Sequence, residues 1–405
     1  MLAPYRSILS TPGSVAFSAA GLVARLEIAM VGLGTVLLVE RSTDSYAIAG
    51  AVAAAGGISN ALTAPFLARL VDRFGQATIL RPASVVHGLG LVALVVLSLV
   101  GAPVALLFGA GIVAGVSQVS VGSLVRARWA RPFTGTPQLQ TAFALESVLD
   151  EFVFIVGPMV ITTVATLLHP AVGLVLAAVT AVTGSWLLAA QRRTEPPART
   201  LARAAEAVRA APVLRSRGIV VLILVFMACG GVFGSGEVAV AAFAEEQGAP
   251  AAAGVVLALW ATASMTAGLA YGAVRWKGRL ERRFIAAVLL FGAGTAPMAF
   301  ATNLPLLAVA FFVAGFAISP VIVAGTALVE RIMPPHRLTE GLAWTGTGLN
   351  LTYALSTALV GIVIDQSGAR AGLMVPVCCG VVAAVVALVG VSRLAAHPHP
   401  APEPA

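Results

Sequence analysis

The 405-residue chain is 59% hydrophobic and only 10% charged, and its mean hydropathy is +0.96. A soluble domain carries roughly 25% charged residues, so this composition excludes an ordinary soluble protein and indicates an integral membrane protein. Three cysteines, Cys229, Cys378 and Cys379, lie in apolar runs without the spacing of a metal site or a disulfide framework. We interpret them as small apolar packing residues.

Twelve apolar runs are long enough to cross a bilayer, whose hydrocarbon core of about 30 Å requires about 20 residues of helix. We number them spans 1 to 12. In chain order they cover residues 14–39, 46–70, 79–100, 104–126, 139–166, 171–190, 218–243, 250–274, 284–301, 305–329, 341–364 and 371–392. The sequence therefore predicts an all-α membrane protein with twelve transmembrane helices.

The basic residues alternate between the connecting loops. Every second loop, counted from the N-terminus, together holds 22 of the 25 Lys and Arg residues; Arg41 and Arg370 lie in the other loops, and Arg25 lies inside span 1. The positive-inside rule then places both termini in the cytoplasm. The net charge of +8 reflects orientation and contact with lipid headgroups, which argues against a nucleic-acid partner. We expect a multi-pass monomer of the inner (cell) membrane.

One long polar segment divides the spans six and six. It predicts an N-terminal six-helix bundle over residues 1–190, a basic cytoplasmic linker over 191–217, a C-terminal six-helix bundle over 218–393 and a disordered tail over 394–405. The charged residues of the linker lie among alanines and are Arg199, Arg203, Glu206 and Arg209. They fit either a short helix on the inner membrane face or a loose basic linker. In the tail, His397 and His399 make a poor metal site without further ligands.

The two halves resemble each other at an offset of about 200 residues. GSLVRARW from Gly122 aligns with GTALVERIM from Gly325, and the turn after span 2 falls opposite the turn after span 8, both 203 residues apart. After a three-residue gap, Asp150 falls opposite Asn350. Duplication of a unit with an even number of spans gives two parallel repeats about an axis along the membrane normal.

With its six-plus-six arrangement and basic central loop, the chain resembles the major facilitator superfamily from about Ser14 to Arg393. The family motif Gly-x-Leu-x-Asp-Arg-x-Gly after span 2 is matched at four positions, Leu70, Asp72, Arg73 and Gly75. Ala68 replaces the first glycine, and Gln76 and Ala77 stand where basic residues are usual. The composition, rich in Ala, Gly, Val and Arg with a single Lys, resembles that of actinobacterial proteins.

The resemblance implies that Asp72 latches the cytoplasmic side of the transporter in its outward-open state. The alternative is a solvated loop whose charges only mark the inner face. In either case a tight turn between two helices requires positive φ, which Gly75 tolerates.

Five charged residues lie well inside predicted spans. Arg25 and Glu27 lie roughly 16–20 Å along span 1, and the segment TAFALESVLDEFVFIVGP brings Glu146, Asp150 and Glu151 into span 5. Such residues are costly in a bilayer and are candidates for function. Glu146 and Asp150 share a helix face, whereas Glu151 points about 100° away. Two acids on one face do not both ionise cheaply, so one of them is expected to hold a proton.

Arg25 is the only intramembrane cation that the sequence places in the N-terminal half, and we expect it to pair with a span 5 carboxylate. Our preference gives Glu146 to this pair and leaves Asp150 to carry the exchangeable proton. The competing interpretation is a static ion network that only locks helix packing.

The second half carries fewer intramembrane charges. Glu237 lies in the glycine-rich part of span 7, where a bend would turn it towards a substrate cavity and where close helix packing explains the glycines equally well. Asn350, the counterpart of Asp150, is neutral, so we expect the N-terminal half to handle protons. In span 3, His87 is interpreted as a packed or interfacial residue rather than a proton relay.

The resemblance to proton-driven exporters of the superfamily is incomplete. Many of them carry Gly-x-x-x-Gly-Pro-x-x-Gly-Gly on helix 5, of which only Gly157-Pro158 is present, because Val153, Ile161 and Thr162 replace the flanking glycines. The arginine that many drug:proton antiporters carry in helix 4 is absent from LLFGAGIVAGVSQVS.

The sequence predicts a secondary active transporter that exports a small molecule from the cytoplasm in exchange for protons. A proton symporter or uniporter for a nutrient is the alternative, and a non-transporting membrane sensor is a further one. HExxH, GxSxG, an intramembrane His pair and a nucleotide-binding motif are all missing from the sequence. We therefore expect no enzyme activity, no cofactor and no metal, with the lipid bilayer, the substrate and protons as partners.

Overall fold

The computed structural model describes residues 3–198, 213–249, 252–274 and 276–394. Within these ranges twelve helices are long and apolar enough to cross a membrane, and no strand occurs. Spans 1 to 12 have the bounds Ser14–Thr43, Ile48–Phe74, Gln76–Leu99, Val104–Phe133, Pro137–Ala165, Pro170–Ala190, Arg217–Glu246, Ala252–Ala273, Leu280–Phe300, Leu304–Ile332, Pro335–Ser367 and Ala369–Leu394. The prediction of an all-α membrane protein with twelve spans is confirmed.

Several helices continue past the predicted boundaries into charged sequence. Span 2 extends to Phe74 and span 4 to Phe133. Polar and charged residues also have good helix propensity, so the helix continues beyond the end of the apolar run. A single residue, Gly75, then separates span 2 from span 3. Its φ of +92° is the conformation that the tight turn was expected to require.

Two of the spans are interrupted near their midpoints. Span 1 consists of the helices Ser14–Arg25 and Ile28–Thr43, and span 4 consists of Val104–Ser117 and Val121–Phe133. At the first interruption Leu26 and Glu27 keep right-handed helical φ and ψ, whereas at the second Gln118 is extended, with ψ of 117°. An extended residue within a span frees backbone hydrogen-bonding groups, which at membrane depth require partners from neighbouring helices.

Large apolar side chains cover the outside of the helices, as expected in contact with lipid. Examples with more than half of their surface exposed are Leu62, Leu89, Leu168, Phe300 and Val389. Small residues pack the interior instead, because only they let two helix backbones approach closely. At Gly184, for instance, a side-chain carbon would collide with the main chain of Ala24.

The chain forms two compact units, which we describe separately. The N-terminal unit comprises Ser7–Pro132 and Leu149–Val208. The C-terminal unit comprises Met1–Arg6, Phe133–Val148 and Arg209–Ala405, so it includes the first part of span 5.

Two segments from early in the chain bind the end of span 8 inside the C-terminal unit. Thr141 Oγ1 donates to the Gly272 carbonyl at 2.7 Å, and the Tyr5 hydroxyl donates to the Leu269 carbonyl at 2.8 Å. Burial raises the pKa of Tyr5 to about 12, so the hydroxyl keeps its proton at neutral pH.

The two interpretations of residues 199–209, a surface helix or a loose linker, concern a segment outside the described residues. The tail histidines His397 and His399 lie outside them as well.

Candidate functional site

Asp150 lies between two arginine side chains in the N-terminal unit. Arg25 Nη1 is 2.6 Å from Oδ1, and Arg126 Nη2 is 2.7 Å from Oδ2. The three residues come from spans 1, 5 and 4, and we call them the arginine–aspartate cluster. The arginine side chains are 2% and 10% exposed, whereas the aspartate side chain is 31% exposed. The cluster therefore has one open face, which the carboxylate forms.

Features of the local sequence position both guanidinium groups beside this carboxylate. Arg25 ends the first helix of span 1, where its Nε donates to the Gly21 carbonyl at 3.0 Å. Arg126 lies in the helix that follows the interruption of span 4. A side-chain carbon at Gly122 would lie 3.1 Å from Arg126 Nη1, so the glycine leaves room for the arginine to reach Asp150.

The expectation that Arg25 is the only cation inside the N-terminal half is wrong. It failed because the predicted end of span 4 fell at residue 126, whereas the helix continues to Phe133 and carries Arg126 within it. Arg25 contacts Asp150, the residue to which the sequence hypothesis assigned the proton. Glu146 is fully buried and Glu151 is half-buried, and the roles of both remain predictions.

A second polar cluster lies where the interruptions of spans 1 and 4 meet. Gln118 Nε2 donates to Glu27 Oε1 at 2.8 Å, and His87 Nε2 lies 3.4 Å from Glu27 Oε2. His87 Nδ1 is 2.8 Å from the Ala114 carbonyl. The side chains of Glu27 and His87 are 5% or less exposed. We call these two residues and Gln118 the interrupted-helix cluster.

Asn60 completes the backbone hydrogen bonding at the interruption of span 4. Its Nδ2 donates to the Gln118 carbonyl at 3.0 Å, which gives that carbonyl a partner outside its own helix. Gln118 thus accepts from span 2 through its backbone and donates to span 1 through its side chain. Sequence reasoning missed Asn60 and Gln118, and it interpreted His87 only as a packed or interfacial residue. The available signal for all three was a polar residue inside an apolar span.

The C-terminal unit contains a different polar pair. The Tyr353 hydroxyl donates to Glu237 Oε2 at 2.5 Å and joins span 11 to span 7. Asn350, one turn earlier in span 11, is exposed. Both predicted cavity residues therefore lie near the contact of the same two helices, and Tyr353 is the partner that the sequence did not reveal.

The four residues that match the family motif surround the turn after span 2. Leu70 and Arg73 are exposed, Asp72 is half-buried and Gly75 is buried. The Arg73 guanidinium lies 4.9 Å from the centre of the Phe74 ring, a cation–π contact. The latch function of Asp72 remains a prediction.

Gln76, which replaces a basic residue of the motif, anchors the end of span 4. Its Oε1 accepts from Arg128 Nε at 2.7 Å, and Arg128 Nη1 also donates to the Gln191 carbonyl and to Thr194 Oγ1. The segment after span 6 is thereby tied to the turn after span 2.

In the parts of the chain that the structure describes, no group of three or more His, Cys, Asp or Glu side chains is arranged to hold a metal ion. The arginine–aspartate cluster and the interrupted-helix cluster both lie in the N-terminal unit.

Solved structures of several transporters are similar to this fold. The human organic anion transporter MFSD10 (TETRAN) superposes with a TM-score of 0.70 at 17% identity, over 94% of this chain and 98% of that one. A bacterial homologue of the iron transporter ferroportin in an outward-facing state gives 0.76 at 12% identity, over 94% and 99%. The proton:xylose symporter XylE bound to 6-bromo-6-deoxy-D-glucose gives 0.68 at 15% identity, over 92% and 94%. At such identities the likeness shows the shared fold.

The sequence comparison assigns the family. No curated protein matches the sequence. The Major Facilitator Superfamily matches it over residues 17–284 and again over 236–405. These matches cover nearly the whole chain, and the twelve helices form the fold of that family. The chain belongs to the Major Facilitator Superfamily.

Proposed function

We propose that this protein is a proton-coupled exporter, which moves a small molecule out of the cytoplasm in exchange for protons. Its family and the similar transporter structures support transport of a small molecule across a membrane. The distribution of basic residues favours a cell-membrane location with both termini in the cytoplasm. The direction of transport and the coupling to protons rest on the arguments that follow.

The open face of the arginine–aspartate cluster is the observation that carries the proposal. The Asp150 carboxylate is 31% exposed, so a polar ligand group can reach it, whereas a fully buried network would admit none. A polar ligand group that reaches this carboxylate competes with Arg25 and Arg126 for it. Spans 1, 4 and 5 each contribute one member, so that competition changes how the three helices are held together.

The packing of span 5 on span 1 supports an antiporter. A side-chain carbon at Gly157 would collide with Ala29, so the Gly-Pro core allows close approach of the two helices. Ile161, which replaces a glycine of the longer exporter pattern, lies against Gly34 and Gly173. The glycines that permit close contact thus lie on the neighbouring helices.

We expect transport to proceed by alternating access, in which the two six-helix repeats expose the substrate site to each side of the membrane in turn.

Proton symport or uniport is the alternative transport mode. A symporter uses the same carboxylates with the substrate and protons moving in the same direction, and the similar structures include a proton:xylose symporter. The direction of proton movement relative to the substrate separates symport from antiport, and the absence of proton movement indicates uniport.

The test is transport by the full chain reconstituted into vesicles that contain a pH-sensitive dye. Candidate substrates are first selected by their ability to raise the thermal stability of the purified protein. An outward substrate gradient should drive protons inward in the wild type, and Asp150→Asn should abolish this exchange. Asn350→Asp, at the repeat-related position, serves as the matched control and should retain it. If substrates move without protons and Asp150→Asn matches the wild type, proton coupling is wrong.

A further inference from the structure

The interrupted-helix cluster contains two buried side chains whose facing atoms lack hydrogen-bond partners. Glu27 Oε2 and His87 Nε2 are each buried and unbonded, although they lie 3.4 Å apart. His87 is 11 residues into span 3, roughly 17 Å along the helix, so it lies near the middle of the span. Two buried polar atoms that face each other and have no other hydrogen-bond partner need a shared proton to satisfy both of them.

The contact with Ala114 fixes the first proton of the histidine. A carbonyl oxygen only accepts, so His87 Nδ1, at 2.8 Å from it, carries a hydrogen atom. The Nε2 atom is then the only ring nitrogen whose proton is variable. It points at Glu27 Oε2, while the other carboxylate oxygen accepts from Gln118 Nε2.

One proton satisfies this pair in either of two arrangements. A protonated Glu27 donates to neutral His87 Nε2, or an imidazolium Nε2 donates to ionised Glu27. Both arrangements are neutral overall. Loss of the proton leaves a buried carboxylate facing a ring lone pair, with the Gln118 amide as its hydrogen-bond donor, and such a state is strongly disfavoured.

Among the described residues, the lining of the small cavity around the pair includes no further titratable side chain. Spans 1, 3, 4 and 6 line the small cavity around it with Ala24, Leu80, Ser84, Ser117, Gln118, Val119, Val121, Ala181 and Ser185. The nearest charge along the chain, Arg25, is bonded to Asp150.

We propose that Glu27 and His87 share one exchangeable proton and form the proton-binding site of the transporter. Asp150 then stays ionised as the counter-ion of Arg25 and Arg126. This inference rests on the proposed function for its role in coupling, and it revises the sequence hypothesis that gave the proton to Asp150 and treated His87 as a packing residue.

Helix interruptions connect this proton to conformational change. Glu27 lies between the two helices of span 1, and Gln118 lies between the two helices of span 4. The proton leaves when movement of these half-helices admits water to Glu27, because hydration removes the penalty on its ionised form. The site therefore releases its proton in one conformation and retains it in the other.

Infrared spectroscopy of the full-length protein during a pH titration tests the proton site without a substrate. Among the transitions of the wild type, one should belong to this pair, seen in the carbonyl band of a buried carboxylic acid or the ring band of an imidazolium. Glu27→Gln should lose this transition. His87→Asn keeps a donor for Ala114 and removes Nε2, so it should lose the ring band and shift the carboxyl transition.

Two further variants control for misfolding and for other buried carboxylates. Glu237→Gln, in the C-terminal unit, should leave the transition unchanged, and Gln118→Ala should shift it, because Glu27 Oε1 loses its amide donor. An unchanged transition in both Glu27→Gln and His87→Asn, or its loss in Glu237→Gln, would overturn the inference.

Transport separates this inference from the proposed function. Proton exchange that persists in Glu27→Gln would place coupling elsewhere and overturn the pair as the coupling site, while leaving proton-coupled export intact. Substrate movement without protons in the wild type would overturn coupling altogether, even if the infrared transition is found.

Discussion

The two halves of the chain share an anchoring contact near the ends of their helices. In the N-terminal unit Arg128 of span 4 donates to the carbonyl of Gln191, just after span 6. In the C-terminal unit Arg331 of span 10 donates to the carbonyl of Leu394, at the end of span 12. Donors and acceptors are both 203 residues apart, the offset that relates the two copies in sequence. The duplicated unit has therefore kept this contact.

The halves differ in the interior of the membrane. Spans 1 and 4 are interrupted, whereas their counterparts, spans 7 and 10, are the continuous helices Arg217–Glu246 and Leu304–Ile332. Residues 203 positions after Glu27, Asn60 and Gln118 are Gly230, Ala263 and Val321. The interruptions of spans 1 and 4 and these three polar side chains thus occur together, and the described spans 7 and 10 lack both at the corresponding positions. The difference indicates that an interrupted helix is kept where its freed polar groups have partners.

The arginine–aspartate cluster follows the same division. Asp150 of the N-terminal unit corresponds to the exposed Asn350, and Arg126 corresponds to Val329. The second half retains a separate polar pair, Glu237 with Tyr353. We therefore interpret the first half as the proton-handling half and the second as its mostly uncharged partner.

The largest effect is expected at Asp150. Replacing it with alanine removes the carboxylate that both Arg25 and Arg126 contact, and breaking a buried ion pair costs about 3–5 kcal/mol of folding free energy. Chemical denaturation of the detergent-solubilised protein measures this loss. The double variant Asp150→Ala with Arg126→Met should recover part of it, because one buried charge is removed as well. Equal stability of Asp150→Ala and the wild type would show that the cluster does not stabilise the fold.

The shared anchors should differ in strength. Arg128 is 1% exposed and Arg331 is 35% exposed on its side chain. Arg128→Ala should cost about 2–3 kcal/mol, because buried charge-assisted hydrogen bonds are lost. Arg331 also pairs at 2.7 Å with Glu281, whose side chain is 8% exposed, so Arg331→Ala is measured in a Glu281→Gln background, where loss of the remaining contact should cost about 1 kcal/mol or less. The same denaturation measurement compares them. A larger loss of folding free energy at Arg331 than at Arg128 would contradict the view that burial makes the Arg128 contacts the stronger ones.

Asn60 tests whether the interruption of span 4 needs its partner. Asn60→Ala leaves the Gln118 carbonyl without the side-chain donor that bonds it, which should cost about 1–3 kcal/mol. Hydrogen exchange at the backbone around Gln118 should rise in this variant. Unchanged exchange would mean that the interruption is held by other contacts.

The smallest effect is expected at Asn350. This residue is exposed, so Asn350→Ala should change stability by no more than about 0.5 kcal/mol. The variant is the matched control for Asp150→Ala in the same denaturation series. A comparable loss at both positions would remove the contrast between the halves.

The twelve spans were predictable because a bilayer demands about 20 apolar residues per helix, a signal that a single sequence shows directly. The helix ends were less predictable, since span 4 continues seven residues past its predicted end at 126. Because of that error, Arg126 was counted with the following loop. The turn at Gly75 was predictable because only its backbone conformation had to be inferred.

The interrupted-helix cluster was not predictable from periodicity. Leu26 and Glu27 include no proline or glycine, so nothing in the local sequence marks the interruption of span 1. His87 is a single polar residue in an apolar span, and its importance comes from facing Glu27 on another helix. Contacts between helices distant in sequence depend on rotation and depth, which hydropathy does not determine.

Substrate-driven proton movement in vesicles, compared between Glu27→Gln and Glu237→Gln, tests most directly whether the N-terminal unit handles protons. Each variant neutralises one intramembrane carboxylate, and the two residues lie in repeat-related spans 1 and 7. The account predicts that Glu27→Gln abolishes proton movement and that Glu237→Gln retains it. Retention in Glu27→Gln together with loss in Glu237→Gln would contradict the account and assign proton handling to the C-terminal half.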